Sequence, residues 1–253
     1  MRLNEHVTLV GSGAVGLSHR CDCHVYLIES QGELALVDGG IGLEPERILA
    51  NVERWGHDPY CLRYLFLTHA HADHAGGAGA IAQATGCTII GPEAEIALLA
   101  RGTDEELGLL ETRRNGTYPQ SYVYQHARGT AAEDGTSFKL GECRITLIVV
   151  PGHSVASGCY LVDWPGERAL FPGDVVFHGG FISLINVYGS DPAVYRKSLP
   201  TLRGLGIEGF FPGHGLWTIS GGQQHIDLAL ERMQQSVFPN LAIAWLPPMA
   251  SSR

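Results

Sequence analysis

The chain has 253 residues, of which 45% are hydrophobic and 17% charged, a balance that fits one large or two small folded domains and excludes a disordered chain. Its formal net charge of −9 provides no basic field to draw in phosphates, which excludes nucleic acid and anionic membranes as partners. Twelve histidines are more than a core of this size needs, and they require a chemical explanation.

Taken in chain order, the first apolar stretch, residues 7–17, is too short for a membrane span and has no small-residue cleavage site behind it. It contains Gly11-Ser12-Gly13-Ala14-Val15-Gly16, the spacing of a dinucleotide-binding fingerprint. With 33 glycines in the chain, three at those offsets arise roughly 0.5 times by chance. The segment that follows leads into a strand instead of the helix the fingerprint needs, so a turn is predicted here. Strand-length apolar runs then occur at residues 25–28, 34–37, 62–67, 88–90, 144–150, 159–162, 169–171 and 209–211. Helices are predicted over 44–55 and over 78–84, the latter with Gly86 as its stop signal. Two more lie over 92–110, on Ile96, Leu99, Leu107 and Leu110, and over 223–237, on Ile226, Leu230, Met233 and Val237. Another starts at Asp191-Pro192 with the aspartate as N-cap, and Pro200 kinks or ends it. Strands and helices alternate throughout, which makes the fold class α/β, with one domain over 1–253. The six cysteines are scattered without a C-x-x-C pair and read as reduced core thiols of a cytoplasmic protein.

Three turns repeat one device: Val150-Pro151-Gly152-His153, Phe171-Pro172-Gly173-Asp174 and Phe211-Pro212-Gly213-His214. Proline fixes φ and glycine accepts positive φ, so the metal-capable side chain that follows is aimed off a strand end. Upstream stands Thr68-His69-Ala70-His71-Ala72-Asp73-His74. Three histidines and an aspartate so spaced arise by chance in about one sequence in a thousand of this composition. Ordinary core or surface histidines do not account for four ligand-type residues directly after a strand. In an extended or turning segment His69, His71 and Asp73 point to one side and His74 to the other, so one loop can serve two metal ions. Nitrogen and oxygen donors without thiolate suit zinc, iron or manganese. The interspersed alanines and Gly76-Gly77 are expected to leave room for the backbone to approach the ions. A rival chemistry is also present: Gly152-His153-Ser154-Val155-Ala156 approximates a nucleophile elbow, with Asp191 and His225 following in hydrolase order.

The pattern His69-x-His71-x-Asp73-His74, then His153, Asp174 and His214 after their Pro-Gly turns, together with Asp38 in Leu36-Val37-Asp38-Gly39-Gly40, resembles the metallo-β-lactamase superfamily over about residues 23–215. The resemblance implies a four-layer αββα sandwich with a metal site at one edge of two packed sheets. It implies one ion on His69, His71 and His153, a second on Asp73, His74 and His214, Asp174 bridging the pair, and Asp38 supporting a ligand from behind. The implied cofactors are two divalent metal ions, zinc first and iron or manganese as alternatives, sharing a hydroxide that attacks the carbonyl of a small ester, lactone or thioester. Asp73 then orients the nucleophile and passes a proton to the leaving group. The alternatives are a mononuclear iron persulfide dioxygenase on the same fold and a metal-free serine hydrolase built on Ser154.

Departures from the family's patterns bear on substrate. Its glutathione-thioester hydrolases carry basic residues soon after the bridging aspartate, whereas here Val175-Val176-Phe177-His178 follows and no Arg or Lys comes before Arg196. Its lactonases place a tyrosine there; Phe177 stands at that position, which passes the role to His178 or Tyr188, and His178 is read as a second catalytic residue. The lack of basic groups favours an uncharged or weakly anionic small molecule. Residues 101–128, with Tyr118, Tyr122 and Tyr124, form either a tyrosine-lined substrate lid or a plain solvated helix–loop. The apolar segment 238–249 either packs on the sandwich or makes a homodimer interface. His6, His19, His57 and His225 read as surface residues, while His24 faces the core or the metal edge.

Overall fold

A computed structural model of the chain describes residues 1–235, so Val237 and the segment 238–249 lie outside the described residues. The first sheet is built in order from β1 (Val7–Gly11), β2 (Val25–Ser30), β3 (Glu33–Val37), β4 (Leu62–Phe66), β5 (Thr88–Pro92) and β6 (Thr130–Ala132). The first three strands pair antiparallel and the rest parallel. Parallel neighbours need crossovers. These are α1 (Pro45–Arg54), the pair α2 (Ala72–Ala75) and α3 (Ala78–Thr85), and the pair α4 (Glu93–Arg101) and α5 (Leu109–Arg114). The second sheet contains β7 (Ser137–Leu140), β8 (Cys143–Val149), β9 (Gly158–Trp164), β10 (Glu167–Gly173) and β11 (Gly209–Pro212). It is antiparallel except for β10 and β11, which run parallel and are joined through α6 (Pro192–Ser198). Helix α7 (Gln223–Gln234) follows.

Side chains alternate along each strand, so the same apolar run feeds two layers. Val25 and Leu27 of β2, like Leu34 and Leu36 of β3, pack with Ile48, Val52, Ile81 and Leu99 of the first helical layer. Their neighbours Tyr26, Ile28, Ala35 and Val37 meet Ile145, Tyr160, Val162, Phe171 and Phe211 between the sheets. On the far side Cys159, Leu161 and Leu170 pack with Tyr195, Ile226 and Met233 of α6 and α7. The layers are therefore αββα. Aromatic rings fill the middle, with Phe66 and Tyr160 at 5.0 Å and Phe171 and Phe211 at 5.0 Å between centroids; truncating one such ring costs about 3–5 kcal/mol.

Most predicted elements are present, with instructive differences. The helix expected over 92–110 stops at Arg101, because Gly102 is extended and the chain folds back until Leu107 packs within 3.0 Å of where a Gly102 Cβ would stand. Leu107 joins the core from that returning segment and Leu109 from α5, while Leu110, expected on the apolar face of one long helix, is exposed. Asp191 caps α6 by accepting from Ala193 N and Val194 N at 2.7 and 3.1 Å, and the helix ends at Ser198 before Pro200. Of the Gly11–Gly16 segment, Gly11 ends β1 and Gly13 to Gly16 form a turn, and no helix intervenes between it and β2. All six cysteines are free, with only Cys61 exposed. No helix among the described residues is long and apolar enough to cross a membrane.

Candidate metal centre

Five strand ends converge at one edge of the sandwich. Asp38 follows β3, the His69–His74 loop follows β4, His153 follows β8, Asp174 follows β10 and His214 follows β11. Backbone hydrogen bonds tie these loops together: Gly158 N to Thr68 O at 2.7 Å, Gly39 N to His74 O at 2.7 Å, and Gly213 N to Gly173 O at 2.8 Å. Two of the three Pro-Gly turns use positive φ, at Gly152 (136°) and Gly173 (52°). Gly213 serves a different need. A Cβ there would stand 2.5 Å from Asp174 Oδ1 and 2.6 Å from His74 Cε1, so size, not φ, requires glycine. Gly76 and Gly77 do not make way for ions as expected. A Cβ on Gly76 would stand 2.3 Å from Ile41 O and 2.4 Å from the Tyr122 hydroxyl, and one on Gly77 2.1 Å from Gly39 O, so their smallness admits neighbouring chain and a tyrosine.

The structure brings His69, His71, Asp73, His74, His153, Asp174 and His214 into one cluster. His153 Nε2 lies 3.2 Å from His69 Nε2 and 3.1 Å from His71 Nδ1. His74 Nε2 lies 3.3 Å from His214 Nε2, 3.3 Å from Asp174 Oδ1 and 3.7 Å from Asp73 Oδ2. Asp174 Oδ2 stands between the groups, 3.8 Å from His153 Nε2 and 3.7 Å from His214 Nε2. The surrounding hydrogen bonds assign the ring tautomers. His153 Nδ1 donates to Ser183 O at 3.2 Å, which leaves its Nε2 as a lone pair facing the cluster. His74 Nδ1 donates to Asp38 Oδ2 at 2.8 Å. The Thr68 hydroxyl spends its proton on Asp38 and therefore accepts from His69 Nδ1 at 3.0 Å. In the neutral form of all three rings the lone pair points inward.

Burial pushes His69, His71 and His153 down in pKa, His71 to about 3, so they are neutral donors of electron pairs at pH 7. Burial also works to raise Asp73 and Asp174, but the imidazoles of His74 and His214 outweigh it and hold both carboxyls below their ordinary range. His74 and His214 move upward despite burial, His74 under the influence of Cys23, Asp174, Asp73 and Asp38, and His214 under that of Asp174 and Asp73. Each attracts positive charge at its nitrogen, whether a proton or a metal ion. Asp174 Oδ1 is buried with no hydrogen-bond partner, its nearest positive group being the His74 ring at 3.3 Å, and a cation there would satisfy it. Two groups able to hold a metal ion, His69–His71–His153 and Asp73–His74–His214, each have their donor atoms within 4.8 Å of one another. The residues fit divalent metal. His69, His74 and His153 are buried, whereas His71, Asp73 and His214 are partly exposed and form the cluster's open side.

The model of the metallo-beta-lactamase superfamily matches residues 20–214. The chain belongs to this superfamily. It is 30% identical over 195 residues to a hydroxyacylglutathione hydrolase of Anaeromyxobacter dehalogenans, covering 76% of this chain and 61% of the relative. It is 27% identical over 195 residues to the thioesterase pkgB of Emericella nidulans, covering 76% of this chain and 45% of the relative. The chain thus spans less than two thirds of the length of these relatives. A metallo-beta-lactamase of Cronobacter sakazakii superposes with a TM-score of 0.72 at 17% identity, covering 93% of this chain and 96% of that one, a likeness of fold.

Within this superfamily fold, several sequence-nominated residues stand apart from the cluster. His178 is exposed and its ring packs on His225 of α7 at 4.3 Å. His225 is buried, not on the surface as expected, because α7 turns it inward against Phe210, where it accepts from Gly179 N at 3.1 Å. Phe177 is buried with its ring 6.4 Å from His214, and Tyr188 is 51% exposed. The three residues of the serine alternative do not meet: the Ser154 hydroxyl bonds Glu95 and Ser157, Asp191 caps α6, and His225 accepts from Gly179. His24 faces the metal edge, its Nδ1 2.9 Å from the Ser12 hydroxyl and its Nε2 2.9 Å from Gly215 O. In segment 101–128, Tyr118, Tyr122 and Tyr124 are buried, and their hydroxyls donate to Asp73 Oδ1, Ile41 O and Ala70 O.

Sequence reasoning missed Glu95. This fully buried carboxylate accepts from Ala70 N at 2.9 Å, Ser154 Oγ at 2.7 Å and Ala156 N at 2.9 Å, so it clips the His69–His71 loop to the His153 turn. Burial raises its pKa while the three donors pull it back. The available signal was an acidic residue beside Ile96 and four before Leu99, on the apolar face of a helix.

Proposed function

We propose that the protein is a metal-dependent hydrolase of a small ester, lactone or thioester, with one ion on His69, His71 and His153, a second on Asp73, His74 and His214, and Asp174 between them. The observation that carries this reading is the convergence of seven nitrogen and oxygen donors, three of them with inward lone pairs set by outer hydrogen bonds, around a side open to solvent. The names of the relatives, a hydroxyacylglutathione hydrolase and a thioesterase, support a carbonyl substrate. Two divalent ions, when bound, supply hydroxide at neutral pH and polarise a carbonyl oxygen.

The chain's own residues do the rest. Asp38 and Thr68 hold His74 and His69 in their ligating tautomers. Asp73, at the open side, is ionised at neutral pH because the imidazoles of His74 and His214 outweigh its burial. As a carboxylate it orients the attacking water, accepts its proton and passes that same proton to the leaving group. The absence of Arg and Lys between Asp174 and Arg196 supports an uncharged or weakly anionic substrate over glutathione conjugates.

The test is elemental analysis of the purified full chain, with ester, lactone and thioester panels before and after chelation. About two zinc ions per chain and hydrolysis that chelation abolishes and zinc restores are expected. About one iron with oxygen consumption on a persulfide would replace this reading with the dioxygenase one. Hydrolysis that survives complete metal removal, and that Ser154→Ala abolishes, would overturn both.

A further inference from the structure

We propose that Tyr118 is a positioning residue that selects which oxygen of Asp73 faces the second metal position. The inference rests on the reading of Asp73, His74 and His214 as that position. The Tyr118 hydroxyl donates to Asp73 Oδ1 at 2.7 Å, while Oδ2 lies 3.0 Å from His214 Nε2 and 3.7 Å from His74 Nε2. A free carboxylate rotates broadly about its last torsion and exchanges its oxygens. A neutral phenol can only donate to it, so the bond pins one oxygen and presents the other inward. The phenol itself is held. Its ring is buried and lies 5.7 Å from that of Tyr122, whose hydroxyl donates to Ile41 O at 2.9 Å through the gap left by Gly76. Arg113 donates to Tyr122 O at 2.9 Å, and Tyr124 anchors the same segment on Ala70 O at 3.1 Å. Segment 101–128 therefore reaches the centre from behind the histidine loop, and one of its three phenols touches a ligand.

Tyr118→Phe removes the hydroxyl and keeps the ring. The full-length zinc-loaded protein is equilibrated against graded chelator and its ions counted by elemental analysis, for wild type, Tyr118→Phe, Tyr122→Phe, Tyr124→Phe and His214→Ala. Wild type should release zinc in two steps, and His214→Ala identifies the step that belongs to the second position. Tyr118→Phe should weaken that step by about 10–100-fold and leave the other unchanged. Tyr122→Phe and Tyr124→Phe each lose an equally buried phenol bond, to backbone, and should move neither step by more than a few fold. Wild-type affinity in both steps for Tyr118→Phe, or equal weakening by all three phenylalanine variants, overturns the role of Tyr118. A wild type that holds a single zinc, or a His214→Ala variant with two unaltered steps, instead overturns the two-ion reading on which the role depends.

Discussion

Replacing Glu95 with Gln tests whether the loop carrying His69 and His71 is held to the His153 turn by one buried carboxylate. All three groups facing Glu95 are donors: two on Oε1, from Ser154 and Ala156, and one on Oε2, from Ala70. An amide of the same shape has one acceptor oxygen. If that oxygen keeps Ser154 and Ala156, the new NH2 is set against Ala70 N–H at about the 2.9 Å now spanned by a hydrogen bond. The variant loses one charge-assisted bond and leaves a buried N–H unpaired, which together cost about 3 kcal/mol. For a protein of this size that lowers the melting temperature by roughly 6–12 °C. Thermal unfolding of the metal-loaded protein, followed by tryptophan fluorescence, reads this directly. Ser154→Ala removes a single donor and keeps the two backbone bonds, so its loss should be smaller, about 1 kcal/mol. A Glu95→Gln melting temperature within about 2 °C of wild type, or a larger drop for Ser154→Ala, would refute the reasoning.

Gly213→Ala places a methyl 2.5 Å from Asp174 Oδ1 and 2.6 Å from His74 Cε1, so these side chains must retreat by nearly 1 Å; zinc retention after dialysis should fall and hydrolysis drop by about 100-fold, and wild-type values for both would show that this gap is slack. The third prediction concerns acid. Burial holds His24 at about 4, against about 6.5 in the unfolded chain. Between those values the unfolded state binds the extra proton, so the stabilisation is full above about pH 6.5 and is lost as pH falls toward 4, by roughly 3 kcal/mol in all. His225 is also lowered by burial to about 4 and titrates in the same window. The contribution of His24 is therefore the difference in pH dependence of melting between wild type and His24→Gln, and parallel curves for the two would contradict it.

The histidine loop and the three Pro-Gly turns were legible because their chemistry is local. Ligand spacing, strand ends and turn residues are read within a few positions, and a strand buried on both faces announces itself as a continuous apolar run. That sufficed for an α/β class, which the resemblance to the superfamily narrowed to αββα, and for nominating seven residues that the fold gathers at one edge. Which residues support those seven was not legible, since the supports come from far along the chain. Tyr118 reaches Asp73 across 45 positions and Glu95 reaches Ser154 across 59, and neither distance leaves a pattern in a single sequence. The surroundings of His178 were not legible either: it lies four residues beyond Asp174, and the turn at Gly179 and Gly180 sets it beside His225 on α7. Gly213 likewise looked like a turn residue and proved to be a spacer between Asp174 and His74, because what it must avoid arrives from two other strands. Local chemistry thus determined the candidate ligands, while the packing of distant segments decided their tautomers, their supports and the side left open.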